Sequence, residues 1–232
     1  MKPQQELSKL LSGVRTLLVD FDGPFCSVFA GLNADEVAER MRRQLADAEH
    51  DVRPDWKAEN DPLALLRRIA HEAPGSVPDA DRILADLETE AARLARPNPQ
   101  MSAVLDAAVH SGRDVIVVSN NAGSAIRCYL ENHRLTHRVN KVVGRRPGEP
   151  ESMKPSPCLL LDAMEPGRDA SGYIFIGDAV RDVEAGHAAD VLTIGYANKE
   201  RKERFLINAG AAVVVTSLLP LAEALVVSAR TT

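Results

Sequence analysis

The chain has little cysteine, and what it has does not organise it. Cys26, Cys128 and Cys158 are odd in number, far apart and without a Cys-x-x-Cys pair among 232 residues. That excludes a disulfide framework and reads as reduced thiols acting as small apolar side chains. No apolar stretch approaches the roughly 18 residues that a membrane span needs. The polar start, Met-Lys-Pro-Gln-Gln-Glu, lacks the apolar segment of a signal peptide. The expectation is a cytoplasmic protein with no membrane partner. Basic charge is not in excess either: the net charge of −5 argues against a nucleic-acid partner. A small anionic substrate stays open, because a bound divalent ion or a lysine dominates the field inside a site. There is no Gly-x-x-x-x-Gly-Lys loop, which argues against a nucleoside-triphosphate motor. His133 and His137 lie four apart without the His-Glu-x-x-His pattern of a metal helix. Internal repeats and low-complexity segments are absent too.

What is present is ordinary in bulk, with 45% hydrophobic and 26% charged residues. The length suffices for one substantial core or a domain carrying an insertion. Leu17, Leu18 and Val19 form a short apolar run that suits a strand covered on both faces. Asp20, Asp22, Gly23 and Pro24 follow at once. Carboxylates at the mouth of an apolar strand are costly unless paired or metal-bound. By itself this is also a common turn, in which Asp bonds nearby backbone and Gly supplies positive φ.

Residues 25–97 hold no convincing strand. Helical spacing predicts helices over 34–50, with Val37, Met41 and Leu45 in one stripe, and over 61–71, with Asp61 as N-cap and Pro62 at the first position. A third is predicted over 78–95, with Ile83, Leu84, Leu87, Ala91 and Leu94 on its apolar side. Trp56, the only tryptophan, is either an anchor for this block or a wall facing substrate. Arg40, Arg42, Arg43, Arg67 and Arg68 read as solvated helix faces, although an arginine reaching into a cleft would suit an acidic substrate.

From residue 101 the pattern alternates. Helices are predicted over 102–111, 122–133, 156–164, 180–189 and 217–228, and strands over 114–119, 139–143, 173–177, 191–195 and 212–215. Such alternation implies right-handed crossovers and a doubly wound parallel sheet. The expected organisation is an α/β core of 1–24 and 98–232 interrupted by a small helical domain over 25–97.

Four polar signals follow these strands or precede a helix: Asp20 with Asp22, Ser119 with Asn120, Lys154 before Pro155, and Asp178 with Asp182. In a parallel sheet the strand ends share one edge, where ligands bind. Clustered carboxylates repel unless a hard cation sits among them, and oxygen ligands favour magnesium. A lysine, a hydroxyl and backbone N–H groups at a helix start suit a phosphoryl group. The chemistry that follows is phosphoryl transfer to a carboxylate nucleophile. Each signal also has a plain structural reading: Ser119-Asn120-Asn121 as a helix N-cap, Lys154 as a surface lysine, Asp178 and Asp182 as first-turn acids.

In the order Asp20-Phe-Asp22-Gly23, Ser119-Asn120, Lys154-Pro155 and Gly177-Asp178-Ala-Val-Arg-Asp182, the sequence resembles the haloacid dehalogenase-like (HAD) hydrolase superfamily, in its helical-cap phosphatase branch. The resemblance covers nearly the whole chain. It implies a Rossmann-like core with a helical cap, and Mg²⁺-dependent hydrolysis of a small phosphorylated metabolite through an aspartyl-phosphate. It further implies Asp20 as nucleophile and metal ligand, and Asp22 as general acid and base with its carbonyl on the metal. Ser119, Asn120 and Lys154 would hold the phosphate, with Lys154 also neutralising charge, while Asp178 and Asp182 would serve the metal. Residues 25–97 match the cap. The chain departs from the family where Thr and Leu-x-Asp commonly follow the glycine, since Pro24, Phe25, Cys26 and Ser27 stand there, which bears on cap movement and substrate range. Asp22 argues against the dehalogenase branch, which lacks this second aspartate. Two other readings stand beside the phosphatase: a phosphotransferase or phosphomutase, and a catalytically silent phospho-ligand-binding regulator. Either a monomer or a homodimer is compatible with the sequence.

Overall fold

Residues 3–229 are described by the computed structural model. Helix α1 (Pro3–Leu10) leads into β1 (Thr16–Val19), all four residues of which are buried. Strand β2 (Cys26–Ser27) opens a helical segment of α2 (Ala34–Asp47), α3 (Pro62–Glu72) and α4 (Val77–Arg93), which β3 (Arg96–Pro97) closes. Strands β2 and β3 pair antiparallel, Cys26 opposite Pro97, so the chain enters and leaves the helical segment side by side. The rest alternates: α5 (Met101–His110), β4 (Asp114–Ala122), α6 (Gly123–Asn132), β5 (Lys141–Arg145), α7 (Cys158–Ala163), β6 (Tyr173–Gly177), α8 (Val180–Ala188), β7 (Thr193–Tyr196), α9 (Lys202–Asn208), β8 (Val213–Val215) and α10 (Leu219–Ala229).

Six of these strands form one parallel sheet in the order β5-β4-β1-β6-β7-β8. Counting only its own strands, that is the 3-2-1-4-5-6 order of a doubly wound sheet. The direction of winding reverses between β1 and β6, where such folds open a crevice at the carboxyl ends. Side chains alternate between the faces with the strand period of two. Leu17, Val19, Val117 and Ile176 join one apolar cluster, while Leu18, Val118 and Phe175 join the other. The first cluster runs on into the helical segment, taking in Val37, Met41, Leu45, Trp56, Leu66, Leu84 and Leu87.

The helices form for the reasons their sequences offer. Asp61 caps α3, its side chain accepting from the N–H groups of Leu63 and Ala64, and Pro62 occupies the first turn, where no donor is needed. Leu94, expected on the α4 stripe, is instead 55% exposed at the helix end. Trp56 is buried, its indole N–H donating to Glu72 at 2.7 Å, which makes it an anchor of the helical segment. Other departures are local. Helices α1 and α9 were not expected, because both are short and rich in polar residues. The strand expected at 139–143 lies at Lys141–Arg145, after a 3₁₀ turn at Thr136–Arg138. Strand β4 continues past Ser119 to Ala122, and its register against β5 shifts between Val118 and Ala122. No helix among the described residues is long and apolar enough to cross a membrane.

Candidate active site

Strands β1 and β6 are hydrogen-bonded neighbours, with Val19 opposite Ile176, and the pairing extends to Asp20, whose N–H donates to the Ile176 carbonyl at 2.9 Å. Asp20 therefore stands at the reversal point, beside Asp178 just past the end of β6. Oxygens of Asp20, Asp178 and Asp182 lie within 4.8 Å of one another, and all three residues are buried. Lys154 arrives from the loop before α7 and is 1% exposed. Its Nζ sits 2.8 Å from Asp20 Oδ1 and 2.8 Å from Asp182 Oδ1, and donates to the Val118 carbonyl at 3.3 Å. The ring of Phe175 lies 5.1 Å below the ammonium.

The backbone is shaped to allow this crowding. Gly23 has φ +108°, and a Cβ there would lie 2.3 Å from Cγ of Asp178. Only glycine fits both the conformation and the approach. A Cβ on Gly177 would likewise meet Asp182 at 2.4 Å. Asp182 Oδ2 accepts from the N–H groups of Asp178 and Ala179 at 3.0 and 2.9 Å, so this carboxylate also caps the start of α8.

Two residues not singled out in the sequence complete the acidic end. Lys202 and Asn198, in and before α9, both contact Asp178 Oδ2, Asn198 at 3.0 Å. Lys202 falls in a run of alternating charges that reads as solvated surface, and only the fold turns it inward. Three carboxylates are thus met by two ammonium groups. Burial, offset by Lys154 but reinforced by Asp182 and Asp178, pushes the Asp20 carboxyl up to about 7. Burial raises Asp178 as well, against Lys202. Burial pulls Lys154 downward, yet Asp182 and Asp20 outweigh it and hold the ammonium above its usual value. Hard oxygen donors carrying one surplus negative charge fit a divalent cation, and the fit concerns Asp20, Asp178 and Asp182.

The remaining expected residues divide. Asp22 faces the same cavity, but its carboxylate is not part of the three-acid cluster; Oδ1 accepts from Val28 N–H at 3.0 Å. Burial raises its carboxyl, the Val28 bond opposing and Asp178 reinforcing the shift. Ser119 lines the cavity, its hydroxyl within 3.2 Å of Asn121 Oδ1. Asn120 lines the cavity too. Its amide grips the Lys154 main chain, accepting from the N–H at 2.8 Å and donating to the carbonyl at 3.1 Å. Because both ends are engaged, the Asn120 side chain positions Lys154. The cavity measures about 50 Å³, and Phe29 and Leu63 of the helical segment are among the residues that line it.

Behind the site lies a second buried network that the sequence did not reveal. Arg145 bonds Asp81 at 2.6 Å, Glu88 at 3.1 Å and the Asn120 carbonyl at 2.8 Å. Glu88 also receives Asn121 Nδ2 at 3.0 Å and Ala122 N–H at 2.8 Å. The available signal was spacing, since Asp81, Leu84, Glu88 and Ala91 recur at three and four residues and so share the apolar side of α4.

A sheet of this order with acids at its reversal point and a lysine between them defines a class of hydrolase. The haloacid dehalogenase-like hydrolase family matches over residues 29–196, and the chain belongs to it. The matched span begins after Asp20 and Asp22. Among solved structures, a predicted phosphatase from Clostridium acetobutylicum is similar at 19% identity and TM-score 0.66, over 90% of this chain and 97% of that one. CbbY from Rhodobacter sphaeroides, solved with phosphate, is similar at 16% identity and TM-score 0.64, over 90% and 96%. A haloacid dehalogenase-like family protein from Streptococcus pneumoniae is similar at 13% identity and TM-score 0.65, over 91% and 98%. At these identities the likeness is one of fold. No curated protein matches the chain in sequence.

Proposed function

We propose that the protein is a magnesium-dependent phosphatase that hydrolyses a small phosphomonoester through an aspartyl-phosphate on Asp20, with residues 25–97 acting as its cap. The observation that carries this is the meeting of Asp20, Asp178, Asp182 and Lys154 beside a cavity that Ser119 also lines. An Asp20 oxygen attacks phosphorus and the ester P–O bond breaks. Asp22, whose hold on a proton burial strengthens, gives its proton to the departing oxygen. The Asp22 carboxylate then takes a proton from water as that water attacks the aspartyl-phosphate. The bond from phosphorus to Asp20 breaks, releasing inorganic phosphate and restoring both aspartates. Lys154 offsets charge on Asp20 and on the phosphoryl group throughout. When bound among Asp20, Asp178 and Asp182, a magnesium ion supplies the positive charge that keeps Asp20 ionised and offsets that of the phosphate.

Phosphate release from p-nitrophenyl phosphate with Mg²⁺ tests the reading. Asp20→Asn is expected to lower turnover by a factor on the order of 10³ or more. A folded Asp20→Asn protein that matched the parent rate would remove Asp20 from the mechanism. The contact of Lys202 with Asp178 favours one further reading, a non-hydrolytic phospho-ligand-binding protein in which this ammonium replaces the metal. It predicts ligand binding that is indifferent to Mg²⁺, with no phosphate released.

A further inference from the structure

Two guanidinium groups near the cavity make no ion pair among the described residues, whereas several arginines of the helical segment do. Arg40 pairs with Glu90, Arg43 with Glu39, Arg53 and Arg68 with Asp55 and Glu72, and Arg82 with Asp79. Arg181 lines the cavity, half-buried, yet it makes no hydrogen bond or ion pair among the described residues. Arg67 lies one turn after Leu63 on α3, and Leu63 lines the cavity. Arg67 donates to the Lys154 carbonyl at 2.7 Å and has no carboxylate within ion-pair reach among the described residues. The two arginines sense each other's charge: burial first, and Arg181 second, hold the Arg67 guanidinium below its ordinary value, with Asp61 opposing. Asp61 attracts Arg67 and Asp22 attracts Arg181, but neither carboxylate forms a close ion pair with them among the described residues, so both forks keep donors for a ligand oxyanion. Arg181 lines the same cavity as Asp22, the residue that the phosphatase reading makes the acid for the leaving group.

We infer that Arg181 and Arg67 form a clamp for a second oxyanion on the leaving group, so that the substrate is a small phosphomonoester carrying a carboxylate or a second phosphate. The inference rests on the phosphatase reading for which end of the substrate is which. Arginine suits the task because its planar fork engages two oxygens of a carboxylate or phosphate at once. Arg181 reaches from the core and Arg67 from the helical segment, so the anion also bridges the two parts.

Calorimetric titration of the wild-type protein in Mg²⁺ with phosphonates, which lack a scissile ester oxygen, tests the clamp without turnover. 3-Phosphonopropionate and propane-1,3-bisphosphonate carry the second anion, and propylphosphonate is the neutral match. Either charged ligand is expected to bind about tenfold tighter or more, the lower end of what a charge-assisted hydrogen bond contributes. The tighter of the two identifies carboxylate or phosphate as the source. Arg181→Gln is expected to bring the ratio to about one, and Arg67→Gln to lower it in part. A wild-type ratio near one overturns the clamp, as does a ratio unchanged in either variant. The wild-type ratio decides even where a variant does not fold. Turnover of p-nitrophenyl phosphate, measured in parallel, separates the two claims. Selectivity without turnover removes the hydrolase and keeps the clamp, whereas turnover without selectivity does the reverse.

Discussion

Replacing Arg145 by Met tests how the helical segment is fastened to the sheet. The Arg145 side chain is 1% exposed and its partners Asp81 and Glu88 are 9% and 0% exposed, so the network is dry. The substitution keeps most of the volume but leaves two buried carboxylates without a cation. Gly148 N–H still donates to Asp81 at 2.8 Å, and Asn121 and Ala122 still donate to Glu88. Those bonds hold the acids in place without neutralising them. Breaking a buried pair from one side costs about 3–5 kcal/mol. In a chain of this length each kcal/mol moves the melting temperature by about 2–4 °C, so the expected loss is roughly 6–20 °C. Urea unfolding read by the midpoint at constant slope measures the same quantity as free energy. The triple variant Arg145→Met, Asp81→Asn, Glu88→Gln removes all three charges while leaving amide oxygens for the same N–H donors. It is expected to recover more than half of the loss, because an absent buried network costs less than a broken one. A loss below about 1 kcal/mol in the single variant, the range of an exposed pair, would refute the claim that this contact is a desolvated fastening. So would a triple variant no more stable than the single one.

Two further outcomes follow from the charges around Asp20. Its carboxyl stands at about 7 against an ordinary 3.8, and Asp178 and Asp22 are raised as well. Raised acids favour the folded state only while protonated, so metal-free protein is expected to lose stability as pH rises from about 4 through about 7. Melting curves in EDTA at several pH values should show that fall. Mg²⁺ should reverse it, and Asp20→Asn should flatten it; a melting temperature that rises over the same interval contradicts the charge balance. Lys202→Met removes the ammonium competing for Asp178, and it is expected to tighten Mg²⁺ binding by roughly fivefold, about 1 kcal/mol for a partly exposed pair. Weaker Mg²⁺ binding by calorimetry would mean that Lys202 supports the metal instead.

The parts of this protein that could be read from the sequence are those whose causes are local. An apolar run ending in Asp20 and Asp22, or in Gly177 and Asp178, carries both the strand and its chemistry within a few residues. Helix α3 announced itself through Asp61, Pro62 and its spacing. Parallel pairing then gathered the strand ends without any further information about side chains, which is why Asp20, Lys154, Asp178 and Asp182 were expected together. Residues whose roles depend on a distant partner stayed hidden. Arg145, in Gly-Arg-Arg-Pro-Gly, looks like a polar turn until Glu88 and Asp81 arrive from a helix some sixty residues earlier in the chain.

Asn120 marks where local reading ends. The family resemblance implied a phosphate contact for it, and strand β4 continues through it. The neighbouring loop brings the Lys154 main chain within reach of both ends of its amide. Arg145 in turn holds the Asn120 carbonyl. The lysine that neutralises Asp20 is therefore positioned by a residue that is itself fixed by the fastening of α4. Because the chain of contacts is continuous, a perturbation of Arg145 should reach Lys154 as well as the stability of the fold. Arg145→Met should accordingly lower p-nitrophenyl phosphate turnover in protein that is still folded at the assay temperature. An unchanged kcat there would mean that Asn120 keeps Lys154 in place without help from behind.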